Sequence, residues 1–269
     1  MKLKGIVLDV DGTMADTEEI HRQAFNQTFD EFDLNWRWSK SEYQKQLLIS
    51  GGKERFKKCL NKDKALKNKV ENQGLFIQKL HKRKSEHYRS MLASDEIQLR
   101  PGITRLINEA QDKRILLGIA TSSSMANLRT LLNKTLNIDP DELFNAIITS
   151  DTVSDKKPSP VVYQCAHAGL GLSPDTCIAI EDTRNGNLSA LSAGLHTIIT
   201  THAYTIDNDF TGASLVVNHL GEPNNGFTQV QGIECDKSYV DIELLNYIIS
   251  SNDDELSKKE ISDIGSGIN

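Results

Sequence analysis

The chain has 269 residues, 38% of them hydrophobic and 25% charged, with a formal net charge of −6. That suits one large or two smaller globular domains. No apolar run approaches the roughly 18 residues that span a bilayer, and an acidic chain gives no general support to nucleic-acid binding. Neither a membrane nor a nucleic-acid partner is therefore expected. The four cysteines (Cys59, Cys165, Cys177, Cys235) are scattered without a C-x-x-C pair, as expected of reduced thiols in the cytoplasm. The first apolar run starts almost at Met1, which leaves no room for a targeting peptide.

Gly5 to Leu8 is a short apolar run that predicts a buried strand. Asp9 and Asp11 follow at its end, and Gly12 permits a tight turn. Residues 17 to 32 predict a helix with Ile20, Ala24, Phe25, Thr28 and Phe32 near one face. From Leu34 to Ala93 the composition becomes rich in Lys, Gln, Asn and Ser, with apolar residues at helical spacing and no convincing strand. This segment predicts an inserted helical bundle. Arg100-Pro101-Gly102 marks a turn. Helices and strands then alternate: a helix carrying Ile103, Leu106, Ile107 and Ala110, a strand over Ile115 to Ala120, and a helix with Leu128, Leu131 and Leu132. A strand over Ala146 to Thr149 follows, then a helix opened by Lys156-Lys157-Pro158, and a strand from Cys177 to Ile180 ending in Glu181-Asp182. A helix from Gly186 to Ala193 and strands at Thr197 to Ile199 and Leu215 to Val217 complete the series. Such alternation predicts an α/β fold, a parallel Rossmann-like sheet covered on both faces. The polar stretch from Asn252 onward predicts a mobile tail.

Four polar signals fall in order at predicted strand ends: Asp9 with Asp11, Thr121, Lys157, and Glu181-Asp182. Each has a plain structural use alone; an acidic pair such as Glu181-Asp182 is commonly a helix N-terminal cap. Their order and their position beyond the carboxyl ends of strands point to a ligand site. Two carboxylates two residues apart can share a metal and a reacting phosphate. Phosphoryl transfer is mainly charge neutralisation and positioning, and a carboxylate nucleophile divides it into two steps.

The run Asp9-Val10-Asp11-Gly12-Thr13, followed by Thr121, Lys157 and Glu181-Asp182, resembles the haloacid dehalogenase (HAD) superfamily over nearly the whole chain. The resemblance implies a HAD core at 1–16 and 94–251, a helical cap at 17–93, and the tail at 252–269. It implies that Asp9 is the nucleophile and Asp11 the general acid and base. Thr121, Ser122 and Lys157 would hold the transferring phosphate, with Lys156 a less favoured substitute for Lys157. Mg²⁺ would be held by the carboxylates of Asp9 and Asp182 and the backbone carbonyl of Asp11, with Glu181 a direct or indirect contributor.

Within the superfamily the chain looks like the CbbY and β-phosphoglucomutase-like subfamily. The signals are Thr17-Glu18 with His21-Arg22, then Gly51-Gly52-Lys53-Glu54-Arg55, then His81-Lys82-Arg83-Lys84, and late His219 to Pro223. CbbY proteins are sugar bisphosphate phosphatases, best known for xylulose-1,5-bisphosphate. In that likeness the cations of Gly51 to Arg55 and of His81 to Lys84 would grip the second phosphate and the sugar, Glu18 would bind a sugar hydroxyl, and Ser123 and Asn127 would complete the contacts. The chain departs from the pattern at Asp16, where CbbY sequences commonly carry Glu. The expected partner is a small phosphorylated sugar, and a monomer is expected. A sugar phosphomutase shares all the core signals and stays open, as does, more remotely, a HAD-fold binding protein without turnover.

Overall fold

The computed structural model describes residues 2–94 and 96–251; the tail expected at 252–269 lies outside them. Strand β1 (Gly5–Leu8) is followed by α1 (Glu18–Glu31) and by four helices, α2 (Lys40–Leu47), α3 (Gly52–Lys62), α4 (Lys64–Lys69) and α5 (Gln73–Ser94). Then come α6 (Ile103–Asp112), β2 (Leu116–Ala120), α7 (Met125–Thr135), the short α8 (Pro140–Leu143), β3 (Ala146–Ile148), α9 (Val161–Gly169) and β4 (Cys177–Glu181). The chain continues through α10 (Arg184–Ser192), β5 (His196–Thr200), β6 (Leu215–Val217), β7 (Gln229–Gly232) and α11 (242–251).

The seven strands form one sheet in the order β3-β2-β1-β4-β5-β6-β7, parallel except for β7, which runs antiparallel to β6. Successive residues of a strand point to opposite faces, and β1 shows how this builds two cores. Ile6 and Leu8 pack with Leu117, Ile119, Ile178 and Ile180 under α6, α7 and α11, while Val7 joins Ala120 and Ala179 under α9 and α10. β1 lies between β2 and β4. The connections leave its two sides in opposite directions, so the ends of β1, β2 and β4 border the crevice where such sheets bind ligands.

The inserted helices have a third, aromatic core. Phe25 and Phe29 of α1 pack with Trp38, Tyr43, Leu47, Phe56 and Leu80, with ring centroids as close as 4.8 Å. Burying each such ring contributes about 1.5–3 kcal/mol. α1 therefore faces both ways, because Ile20 and Ala24 pack into the core beneath the sheet. The two backbone segments joining inserted helices to sheet lie side by side: Ala15 bridges antiparallel to Leu99, and Arg100 N donates to Met14 O at 2.8 Å.

The short α8 and the helix over 242–251 were not expected, and two further features differ from expectation. The helix after Lys157 starts only at Val161, because residues 157–160 form a turn in which Pro158 and Pro160 have no N–H to donate. β7 has one apolar residue, Val230, and is largely exposed, so no alternation announces it. The late segment at His219 to Pro223 is structural: Glu222 accepts from Gly102 N at 2.8 Å and holds the start of α6.

Candidate active site

The floor of the site forms at the carboxyl ends of β1, β2 and β4. Asp9, Lys157, Glu181 and Asp182 are all buried there. Lys157 Nζ donates to Asp9 Oδ1 at 2.6 Å, to Ala120 O at 2.9 Å, and to Glu181 Oε1. Burial alone would lower the Lys157 ammonium, but Asp9 and Glu181 more than reverse this and hold it charged. Burial drives the Asp9 carboxyl well above its ordinary range despite Lys157, and lifts Asp182 to about 6 against the pull of His202, which sits 2.9 Å from Asp182 Oδ2. Three carboxylates thus crowd a dry site with one ammonium.

Glu181 is fixed from every side. Tyr163 donates to Oε1 at 2.9 Å, and Asp182 N and Thr183 Oγ1 donate to Oε2. Its carboxylate lies flat on Gly186, where a Cβ would stand 1.8 Å from Glu181 Cδ. Gly186→Ala is therefore expected to push Glu181 off Lys157 and to weaken divalent-cation binding at least tenfold; unchanged affinity in a metal titration would show that Glu181 position is irrelevant to the metal.

Asp11 faces the inserted helices. Its Oδ1 accepts from Thr17 Oγ1 at 2.7 Å and from the Tyr88 hydroxyl at 3.2 Å, and contacts His21 Nε2 at 3.0 Å; Oδ2 accepts from Ser123 Oγ at 2.5 Å. Burial would raise this carboxyl, but His21 and the hydroxyls win and hold it below the ordinary range. Thr17 stands at the N-cap of α1 yet makes no cap bond; its hydroxyl is diverted to Asp11. Across His21, Nδ1 meets Lys84 Nζ at 2.5 Å. A charged Lys84 leaves His21 Nδ1 only the acceptor role, so Nε2 carries the proton toward Asp11.

Burial first, and Arg55 second, lower Lys84 to about 7 from 10.5. The unfolded chain therefore binds more protons than the folded one between about pH 7 and 10. The resulting penalty is complete below pH 7 and relieved as pH rises toward 10. Lys84→Met is expected to be more stabilising, relative to the parent, at pH 7 than at pH 10, by roughly 3–5 kcal/mol. Urea melts at the two pH values check this; a difference that does not change with pH would mean that Lys84 titrates normally.

The cavity between floor and roof is lined by Asp9, Asp11, Thr121, Ser122, Lys157 and Asp182 below. Above and beside them stand Glu18, Gly51, Gly52, Arg55, His81 and Lys84, with Ser123 and Asn127 at the start of α7. Glu18 accepts from the Tyr43 hydroxyl at 2.8 Å, and Arg55 Nη1 donates to the same hydroxyl at 3.0 Å. Gly52 admits His81, whose Cδ2 would lie 2.8 Å from a Cβ there; burial, then Lys84, pushes His81 down to about 3, leaving it neutral.

Lys53, Glu54, Lys82 and Arg83 do not line this cavity. The reason is helical period: in α5, His81, Lys84, Ser85 and Tyr88 share a face at three- and four-residue spacing, and the two residues between them turn away. Arg83 instead pairs with Glu31 and Glu86 on the surface. In α3 the same spacing selects Gly52 and Arg55 and leaves Lys53 exposed.

Sequence reasoning missed several participants. His21 and Tyr88 contact Asp11, Tyr163 contacts Glu181 and His202 contacts Asp182; only His21 had a signal, four residues after Thr17 on the α1 face. Arg100 was read as a turn residue. Its buried guanidinium donates to the carbonyls of Gly12 (2.5 Å), Thr200 (3.0 Å), Thr201 (2.7 Å) and Asn218 (2.6 Å), tying the turn after Asp11 to the ends of β5 and β6. Asp16, where the resemblance broke, is exposed and lies 3.3 Å from Arg100.

Asp9, Glu181 and Asp182 each bring one carboxylate oxygen within 4.8 Å of the others. Buried oxygen donors with excess negative charge fit a hard divalent cation such as Mg²⁺, which would offset the carboxylate repulsion that adds to burial in raising Asp9 and Asp182.

Comparison with known proteins agrees with this geometry. Residues 6–200 match the family model of haloacid dehalogenase-like hydrolases. Protein CbbY of Rhodobacter capsulatus is 42% identical over 218 residues, 79% of this chain and 92% of that protein. The β-phosphoglucomutase of Bacillus subtilis is 31% identical over 206 residues, 73% of this chain and 82% of that protein. Among solved structures, CbbY of Rhodobacter sphaeroides in complex with phosphate matches with a TM-score of 0.74 at 37% identity, covering 81% of this chain and 94% of that one. A mutant of that protein in complex with xylulose-1,5-bisphosphate matches with the same TM-score at 36% identity and the same coverage. With this sheet, this helical insertion and these relatives, the chain belongs to the haloacid dehalogenase-like hydrolases and is a CbbY-like enzyme among them.

Proposed function

We propose that the enzyme is a Mg²⁺-dependent phosphatase of small sugar bisphosphates, of the xylulose-1,5-bisphosphate type, working through an aspartyl-phosphate on Asp9. The observation that carries this reading is that cationic side chains face one cavity from both sides: Lys157 beside Asp9 on the floor, and Arg55 in the roof, with Lys84 beside it to be held charged by a bound phosphate. A substrate with a phosphate at each end answers both, and the guanidinium fork of Arg55 suits the distal phosphate.

In the first half-reaction a carboxylate oxygen of Asp9 bonds to phosphorus and the ester P–O bond breaks; the departing sugar oxygen takes a proton from Asp11. In the second, Asp11 removes a proton from water, the water oxygen bonds to phosphorus, and the Asp9–phosphorus bond breaks to release inorganic phosphate. Lys157 neutralises charge on the transferring group and favours the ionised form of Asp9 against its burial. Thr121 and Ser122 hold its oxygens. Asp9, Asp182 and the Asp11 carbonyl, with Glu181 beside them, would hold Mg²⁺, which would supply further charge neutralisation. Asp11 must be protonated for the first half and ionised for the second. Each hydrogen bond from Thr17, His21, Tyr88 or Ser123 that breaks raises its proton affinity, so movement of the roof tunes the switch.

Phosphate release from xylulose-1,5-bisphosphate, ribulose-1,5-bisphosphate and β-glucose-1-phosphate, with Mg²⁺ and with chelator, tests the reading. Mg²⁺-dependent release with preference for a bisphosphate is expected. The likeness to a β-phosphoglucomutase makes the rival outcome concrete: conversion of β-glucose-1-phosphate to the 6-phosphate with little free phosphate would replace the phosphatase by a mutase. Arg55→Ala is expected to raise KM for bisphosphates about tenfold or more and to affect monophosphates less. An equal rise for both in steady-state kinetics would remove Arg55 as the distal clamp.

A further inference from the structure

A second cleft, away from the catalytic cavity, lies on the inserted helices. It encloses about 470 Å³ between the segment before α2, the outer face of α2, and the end of α3, within the ~300–1,000 Å³ typical of small-molecule sites. Lys45 of α2 and Lys58 and Lys62 of α3 line it; among the described residues none forms a close ion pair, although Lys45 acts electrostatically on Glu42. The two acids in its wall are already engaged. Glu42 Oε2 accepts from Ser39 N and Oγ, both at 2.8 Å; Asp63 accepts from Trp36 Nε1 at 3.1 Å and Leu66 N at 3.0 Å. Within an acidic protein this is a local excess of cations over carboxylates.

One further group narrows the ligand. Trp36 lines the cleft, is only partly buried, and has its indole N–H held by Asp63, so its ring is fixed in orientation. Anionic and planar are the two requirements. Inorganic phosphate meets the first alone; a sugar phosphate lacks the planar ring.

We propose that this cleft binds a nucleoside phosphate, with the phosphates on Lys45, Lys58 and Lys62 and the base on Trp36. The site is independent of the catalytic reading, since none of these residues lines the catalytic cavity. The chain has two tryptophans, Trp36 and Trp38, and both line this cleft, so intrinsic tryptophan fluorescence reports on it.

The experiment titrates the full-length protein in chelator, where turnover is suppressed, with ADP, adenosine and inorganic pyrophosphate as probes, following tryptophan emission. ADP is expected to give a saturable change whose Kd rises with salt. Lys45→Gln/Lys58→Gln/Lys62→Gln, three surface changes that leave the packing intact, is expected to raise that Kd about tenfold or more. Adenosine is expected to bind at least tenfold more weakly than ADP. No saturable change with ADP, or an unchanged Kd in the triple variant, overturns the proposal. Pyrophosphate binding as tightly as ADP overturns it too, because the ring then contributes nothing.

Discussion

Asp9→Asn is expected to lower kcat by roughly 10⁴–10⁶-fold while making the protein slightly more stable. Both effects have one cause. The Asp9 carboxylate is buried beside Glu181 and Asp182, and burial drives its proton affinity upward even with Lys157 at 2.6 Å. An ionised Asp9 at neutral pH is therefore held against its own preference, in a setting that only the reaction needs. Asparagine keeps the shape, removes the charge and removes the nucleophile. Steady-state kinetics and thermal melts on the same preparations separate the two effects. Activity near the parental level would end the covalent mechanism proposed for Asp9.

Lys157→Met is the second large effect. It leaves Asp9 and Glu181 facing each other in a dry site without their common cation. Removing one partner of a buried ion pair costs about 3–5 kcal/mol, because the survivor stays buried and unpaired. Denaturant melts are expected to show a loss of that size, with activity abolished. In the Asp9→Asn background the same change is expected to cost less, because one of the two stranded carboxylates is already gone. Such neighbours do not add independently. Equal costs in the two backgrounds would show that Asp9 and Lys157 are energetically separate, and that the electrostatic account of the floor is incorrect.

The floor of the site was legible in the sequence because its residues sit at strand ends, and strand ends follow from apolar runs: Gly5 to Leu8 fixes Asp9, and Cys177 to Ile180 fixes Glu181 and Asp182. The roof was half legible. Gly51 to Arg55 and His81 to Lys84 were recognised as stretches, but which member turns inward depends on helix phase, and sequence alone did not set it. Arg55 and Lys84 face the cavity; Lys53, Lys82 and Arg83 do not. Tyr163 and His202 could not be anticipated. Each acts through one side-chain contact to an acid across the fold, at 2.9 Å in both cases, and no local pattern encodes a contact of that kind. The same holds for Arg100, whose carbonyl partners come from three separate loops.

The side-by-side linkers at Ala15 and Leu99 carry a consequence for the history of the architecture. Because the excursion of more than eighty residues leaves and re-enters through neighbouring backbone, its ends are already close together. In topological terms it is one elaborated loop. Chain closure there depends only weakly on how many residues lie between the ends. Exchange of the outer helices, with Ile20, Ala24, Tyr88 and Leu92 kept against the sheet, leaves the strand registers and the Asp9–Lys157–Asp182 floor in place. Chemistry and selectivity can therefore diversify separately, the first held in the sheet and the second carried by a detachable module.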